Sequence, residues 1–155
     1  MPGDRKIKNA DPVLIDMGCK YKGYCSDMTR TIFMGCILEE IKPVYDLVLK
    51  NQKNVLEEMR NNCSIKIVSR GVEDSFKFNN YMLIHGLGHG VGLDVHETPG
   101  INQKNESFLK ENMVVTDEPG IYLPGKYGIR IEDTVLITRD GCEVLTKSNK
   151  QYVVI

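Results

Sequence analysis

All three histidines of the chain, His85, His89 and His96, fall inside one short run, HGLGHGVGLDVHE from His85 to Glu97, which also carries Gly86, Gly88, Gly90 and Gly92. That glycine density decides the local backbone. Each glycine costs about 1 kcal/mol of helix propensity relative to alanine, so four of them so close together predict that no helix forms here. His85 and His89 have the spacing that places two zinc ligands on one helix face, and the glycines argue against that arrangement. A dinucleotide-binding loop is excluded as well, because Val91 stands where the third glycine of G-x-G-x-x-G belongs. The expected use of these glycines is to let backbone approach a bound group and to adopt positive φ.

Around this run the apolar pattern changes period. Residues 12–17 (PVLIDM) and 30–34 (RTIFM) are short apolar runs that predict strands, with Gly18 and Gly23 punctuating the stretch between them. From Ile41, the residues Ile41, Val44, Tyr45, Val48, Gln52, Val55, Leu56 and Met59 recur at three- and four-residue steps, predicting an amphipathic helix. Glu39 and Glu40 favour its start, Pro43 is tolerated in its first turn, and Asn61-Asn62 provides its stop. Ile65, Val68, Val72 and Phe76 could line a second helix within residues 64–80, weakened by Gly71. Further strands are expected at Tyr81 to Ile84, Met113 to Glu118, Gly128 to Thr138 and Cys142 to Leu145, with turns at Pro119-Gly120, Pro124-Gly125 and Asp140-Gly141. No repeat, linker or low-complexity tract divides the chain.

Composition then removes several function classes. A hydrophobic fraction of 41% with 26% charged residues excludes a disordered or collagen-like chain. A net charge of -1 leaves no basic excess for nucleic acid. No apolar stretch approaches the roughly 18–20 residues of a spanning helix, and the opening MPGDRKIKNADP lacks the apolar core of a signal peptide, so no membrane association is expected. The 5 cysteines contain no C-x-x-C pair and are read as free thiols of a cytoplasmic protein.

The acids supply the chemistry. Asp16 ends one apolar run and Asp27 precedes the next, so a hairpin would bring the two carboxylates together, although an acid at a strand end is more often a solvated turn residue. Glu118 ends the run MVVTDE directly before Pro119-Gly120. Glu132 lies in GIRIEDTVLI, where strand alternation would put Arg130 and Glu132 on one face and Ile129 and Ile131 on the other. If buried and ionised, Glu132 must be paired or metal-bound; its plain alternative is a surface salt bridge with Arg130. Two Asp, two Glu and a His suit divalent manganese, cobalt, zinc or iron better than a thiolate site would. Four carboxylates exceed the needs of one catalytic ion, and two ions about 3.5–4 Å apart, sharing bridging carboxylates and a hydroxide, are the economical reading.

In this order the segments resemble the pita-bread metallopeptidases, the family of Xaa-Pro aminopeptidases, prolidases and methionine aminopeptidases. VLIDMGCKYKGYCSDMTRTIF from Val13 to Phe33 is similar to the segment with two Asp ligands, and HGLGHGVGLDVHETP from His85 to Pro99 to the histidine segment. TDEPGIY from Thr116 to Tyr122 and GIRIED from Gly128 to Asp133 are similar to the two Glu segments. The resemblance implies an α+β pita-bread (creatinase/aminopeptidase-like) fold and two divalent ions, manganese foremost, with cobalt, zinc or iron as alternatives. It implies that Asp16 holds one ion, Asp27 and Glu132 bridge both, and His89 and Glu118 complete the second. Glu118 would also handle the proton of the bridging hydroxide that attacks the peptide bond. His85 and His96 would face the substrate or support the ligands, and Arg130 would pair with Asp27 or with substrate.

Within the family the likeness is closer to the proline-specific branch, implying an exopeptidase that separates an amino-terminal residue from a following proline; a methionine aminopeptidase-like activity is the alternative. Members of the family carry helices, strands and a further His ahead of the first Asp ligand, whereas no His here precedes His85. Residues 1–155 are therefore expected to be the carboxy-terminal portion of a catalytic domain, truncated at its amino terminus. Two rival expectations follow: an inactive fragment that dimerises through uncovered apolar surface, or a non-catalytic binding module of the same fold.

Overall fold

The computed structural model describes residues 4–155. The chain forms β1 (Pro12–Met17), β2 (Lys20–Tyr21), β3 (Tyr24–Cys25), β4 (Met28–Phe33), α1 (Lys42–Glu58) and α2 (Ile65–Phe78). It continues through β5 (Gly88–Gly90), β6 (Glu97–Ile101), β7 (Val114–Asp117), β8 (Gly120–Leu123), β9 (Tyr127–Arg130), β10 (Asp133–Ile137) and β11 (Cys142–Val144). One antiparallel sheet has the order β11-β10-β7-β5-β6, and β1-β4, β2-β3 and β8-β9 form separate antiparallel pairs. Among the described residues no helix is long and apolar enough to cross a membrane.

The helices follow their apolar faces. In α1, Val44, Tyr45, Val48, Leu49, Asn51, Gln52 and Val55 are buried, with Ile41 and Met59 buried at its two ends. The helix ends before the asparagines expected to stop it: Met59 already leaves helical geometry, and Asn62 takes φ 62. In α2, Ile65, Val68, Val72 and Phe76 are buried, and the Ser64 hydroxyl caps the helix by accepting from Ile67 N at 3.4 Å. Gly71 faces open space, so its cost of about 1 kcal/mol is outweighed by about 1.5–3 kcal/mol for each buried apolar side chain.

Three expectations are corrected. Residues Tyr81 to Ile84 alternate in burial as a strand does but lie outside every strand. The predicted strand Gly128 to Thr138 is two strands in different sheets: β9 pairs with β8, β10 with β7, and the chain steps between them at Ile131-Glu132. Glu132 N donates to Thr29 O at 3.0 Å at that step, so alternation along one strand is not what sets its direction. Finally, positive-φ glycines occur at Gly23, Gly35 and Gly125, not in the histidine run. Gly88 and Gly90 are needed for close strand packing instead: a Cβ on Gly88 would lie 2.1 Å from Thr116 O, and one on Gly90 2.4 Å from Thr98 O.

The core joins Phe33, Tyr45, Val48 and Phe76 to Leu87, Ile101, Val115, Ile129, Ile131 and Val135. The end of the chain lies along β4: Phe33 N donates to Val153 O at 2.8 Å and Ile155 N to Phe33 O at 2.9 Å. All five cysteines are free thiols, as the sequence suggested.

Candidate metal centre

The antiparallel register sets Asp16 at the end of β1 opposite Thr29 in β4, and the β2-β3 excursion returns the chain so that Asp27 immediately precedes β4. That excursion also holds the histidine run in place: Cys25 N donates to Gly92 O at 2.7 Å and Lys20 Nζ to Leu93 O at 2.8 Å. β5, threaded between β6 and β7, carries His89; β7 leads directly into Glu118; and the step from β9 to β10 delivers Glu132. Four sequentially distant segments thus converge.

The predicted residues meet in overlapping groups. Ligand atoms of Asp16, Asp27 and Glu132 lie within 4.8 Å of one another, as do those of His89, Glu118 and Glu132, and those of Asp27, His89 and His96. Glu132 belongs to the first two groups and is the geometric bridge. Asp27 connects the first group to the two histidines, and His96, expected only beside the ligands, can reach a ligand position. Arg130 is directed elsewhere than first expected: it pairs with Asp16, not Asp27, because β9 runs beside β1.

The donor set fits divalent cations on a simple observation. His89 Nδ1 lies 3.0 Å from Gly90 O. A carbonyl can only accept, so Nδ1 carries the proton and Nε2 presents its lone pair. That Nε2 sits 3.3 Å from Glu118 Oε1 and 3.6 Å from Asp27 Oδ2. Three acceptors therefore face one another, an arrangement relieved by a proton on one of the three groups or by an intervening cation.

The electrostatics agree. Glu132 is 2% exposed, and burial pushes its carboxyl up to about 8, aided by the neighbouring Glu118 and Asp27 and opposed by a hydrogen bond from Thr29. Burial also raises Glu118, against the pull of His89, His85 and Arg130. Asp27 is raised by burial and by Asp16 beside it. Carboxylates gathered with too little positive charge bind protons more tightly than usual, and a metal ion would compete with those protons.

Several contributors were not singled out by sequence reasoning. Thr116 Oγ1 accepts from His89 N at 2.9 Å and donates to Glu118 Oε1 at 3.3 Å, tying two candidate ligands together. Thr29 Oγ1 donates to Glu132 Oε2 at 2.5 Å and accepts from Arg130 Nε at 3.0 Å. Tyr122 links His85 to Arg130: His85 Nδ1 donates to Gly86 O at 2.7 Å, leaving Nε2 to accept from the Tyr122 hydroxyl at 2.9 Å. The same hydroxyl accepts from Arg130 Nη1 at 2.9 Å. None of the three carries a local mark of these contacts, which join segments far apart in the chain.

The sequence pattern of metallopeptidase family M24 matches residues 1–139. The chain belongs to metallopeptidase family M24. It is 44% identical over 153 residues to the Xaa-Pro dipeptidase of Pyrococcus furiosus, covering 97% of this chain and 44% of that protein. Among M24 structures, the X-Pro aminopeptidase of Thermotoga maritima superposes with a TM-score of 0.95 at 39% identity, covering 99% of this chain and 44% of the other. A recombinant prolidase of Thermococcus sibiricus gives 0.96 at 39% identity, covering 100% and 43%. The fold is thus the α+β pita-bread architecture expected from the sequence, and the chain spans less than half the length of these M24 relatives.

Proposed function

We propose that this chain carries the dinuclear metal site of an Xaa-Pro-directed exopeptidase, with Asp16 holding one divalent ion, His89 and Glu118 the other, and Asp27 and Glu132 serving both. The observation that carries this reading is the lone pair of His89 Nε2 facing Glu118 and Asp27, with Glu132 shared between the two ligand groups. Bound there, a pair of divalent ions lowers the pKa of water and polarises a peptide carbonyl, with manganese the favoured metal and cobalt, zinc or iron accommodated by the same donors.

The chain's own residues then have distinct tasks. Glu118, its Oε1 3.3 Å from His89 Nε2, takes the proton of the attacking water and passes it to the leaving amine. His96 is exposed, its ring packed against His89 at 4.3 Å between centroids, and it faces the substrate. Tyr122 and Arg130 orient His85 and hold Asp16 in place, leaving His85 beside the reacting carbonyl. The substrate is a peptide with proline at its second position; the names of the relatives support this choice. We further place residues 1–155 as the carboxy-terminal portion of such a catalytic domain and, from its five free thiols, in the cytoplasm.

The test is hydrolysis of Ala-Pro and Gly-Pro peptides beside Met-Ala-Ser, with manganese or cobalt added and with chelator as control. Chelator-sensitive cleavage of the proline peptides is expected. Turnover of Met-Ala-Ser alone would transfer the chain to the methionine-type reading.

A further inference from the structure

Glu132 is fixed by its main chain as much as by its carboxylate. Its N–H donates to Thr29 O at 3.0 Å, and its carbonyl accepts from Arg30 Nη1 at 2.5 Å. Arg30 is buried, and its guanidinium is fully engaged. Nη1 also donates to Thr29 O at 2.9 Å, Nε to Asn149 O at 3.1 Å, and Nη2 to Ser148 O at 2.9 Å and Asp133 Oδ1 at 2.7 Å. A guanidinium has five N–H donors in a rigid fork, and here each has a partner.

Asp133, the residue after Glu132, is equally saturated. It is 0% exposed and accepts from Arg30, from Thr146 Oγ1 at 2.7 Å, from Gln52 Nε2 at 2.8 Å and from Lys150 Nζ at 2.6 Å. Thr146 and Lys150, together with the Ser148 and Asn149 carbonyls that Arg30 meets, belong to the terminal segment 146–150. That segment supplies no acid, thiol or imidazole to the centre.

A buried ion pair is a poor device for stability, since apolar packing of the same volume usually serves as well. What such a network supplies is direction. We propose that the Arg30–Asp133–Lys150 network is a positioning element of the metal centre: residues 146–150 hold Glu132 from behind and so set how tightly, and in what geometry, divalent ions are held. Lys150 is then a positioning residue although its ammonium meets Asp133 and Gln52 rather than any candidate ligand. The inference rests on the metal-centre reading given above.

The experiment is titration of the 155-residue chain with Co(II), followed by calorimetry and by visible absorption, whose bands report coordination geometry. Lys150→Met should keep the circular dichroism of the unmodified chain, weaken Co(II) binding by about 10–100-fold and shift the bands, in line with losses of outer-shell partners. Lys150→Arg, which returns a cation to Asp133, should recover most of the affinity. Should Lys150→Met fail to fold, Thr146→Val removes one hydrogen bond from the same carboxylate and should shift affinity and bands in the same direction, less far. Unchanged affinity and spectrum in the folded variant, with Glu132→Gln losing Co(II), would overturn the positioning role alone. No Co(II) uptake by the unmodified chain, or unimpaired uptake by Glu132→Gln, would overturn the metal-centre reading and this proposal with it.

Discussion

Replacing Asp117 by valine should stabilise the protein. Asp117 and Asp133 are direct partners across β7 and β10, and both are 0% exposed. Their surroundings are opposite. Asp133 accepts four hydrogen bonds from Arg30, Thr146, Gln52 and Lys150, whereas neither carboxylate oxygen of Asp117 has a partner among the described residues. A buried polar group left unsatisfied costs about 1–3 kcal/mol. Valine is close to aspartate in volume, suits a strand and strands no partner, so most of that cost should return as stability. At about 2–4 °C per kcal/mol for a chain of this size, a gain of about 2 kcal/mol raises Tm by roughly 4–8 °C.

The effect has a pH signature. Burial, reinforced by Asp133, raises the Asp117 carboxyl well above its ordinary value. Its folded pKa exceeds its unfolded one, so its contribution to stability is fully present below the unfolded value near 4 and is lost as pH rises through the folded one. The Tm advantage of Asp117→Val should therefore widen from acid to neutral pH. The assay is thermal unfolding by circular dichroism at pH 5 and pH 8 in chelator, with Asp133→Val alongside. The latter leaves Arg30 and Lys150 uncompensated and should lose about 3–5 kcal/mol. An Asp117→Val protein that melts at or below the unmodified one at neutral pH, or an advantage that does not grow with pH, would refute the reasoning.

Glu132→Gln or Asp27→Asn should each abolish metal-dependent peptidase activity wherever the parent protein is active, and retained turnover would remove that residue from the site. Metal uptake should release protons at pH 7, because Glu132 titrates at about 8 in the metal-free protein. Calorimetry in buffers of different ionisation enthalpy should show that release shrinking as pH passes above 8, and pH-independent uptake would contradict it. His96→Ala should impair turnover while metal content measured after dialysis stays unchanged; loss of metal would instead make His96 a ligand, as its grouping with Asp27 and His89 allows.

Much of the site was legible because its chemistry is written in residue types. Hard acids at the ends of apolar runs, one more within an apolar strand and histidines among glycines that disfavour a helix marked the chemistry, the family resemblance singled out Asp16, Asp27, His89, Glu118 and Glu132, and the structure brings those side chains into overlapping groups. The helices were legible too, since the faces of α1 and α2 repeat at the helical period and bury the expected residues. Arg30 and Thr116 were not. A threonine or arginine within a strand carries no local mark of what it touches, and their partners lie far along the chain.

The amino-acid order by itself determined which side chains could hold a divalent cation and which segments could be helix or strand, because those properties belong to residue type and local period. Tertiary structure alone decided that the predicted strand from Gly128 to Thr138 breaks at Glu132, and that Arg130 turns to Asp16. It also decided that Asp117 and Asp133, identical in kind and opposite in register, stand in contrary environments. Those outcomes depend on hydrogen-bond partners brought together from distant parts of the chain, and no local pattern encodes such a pairing.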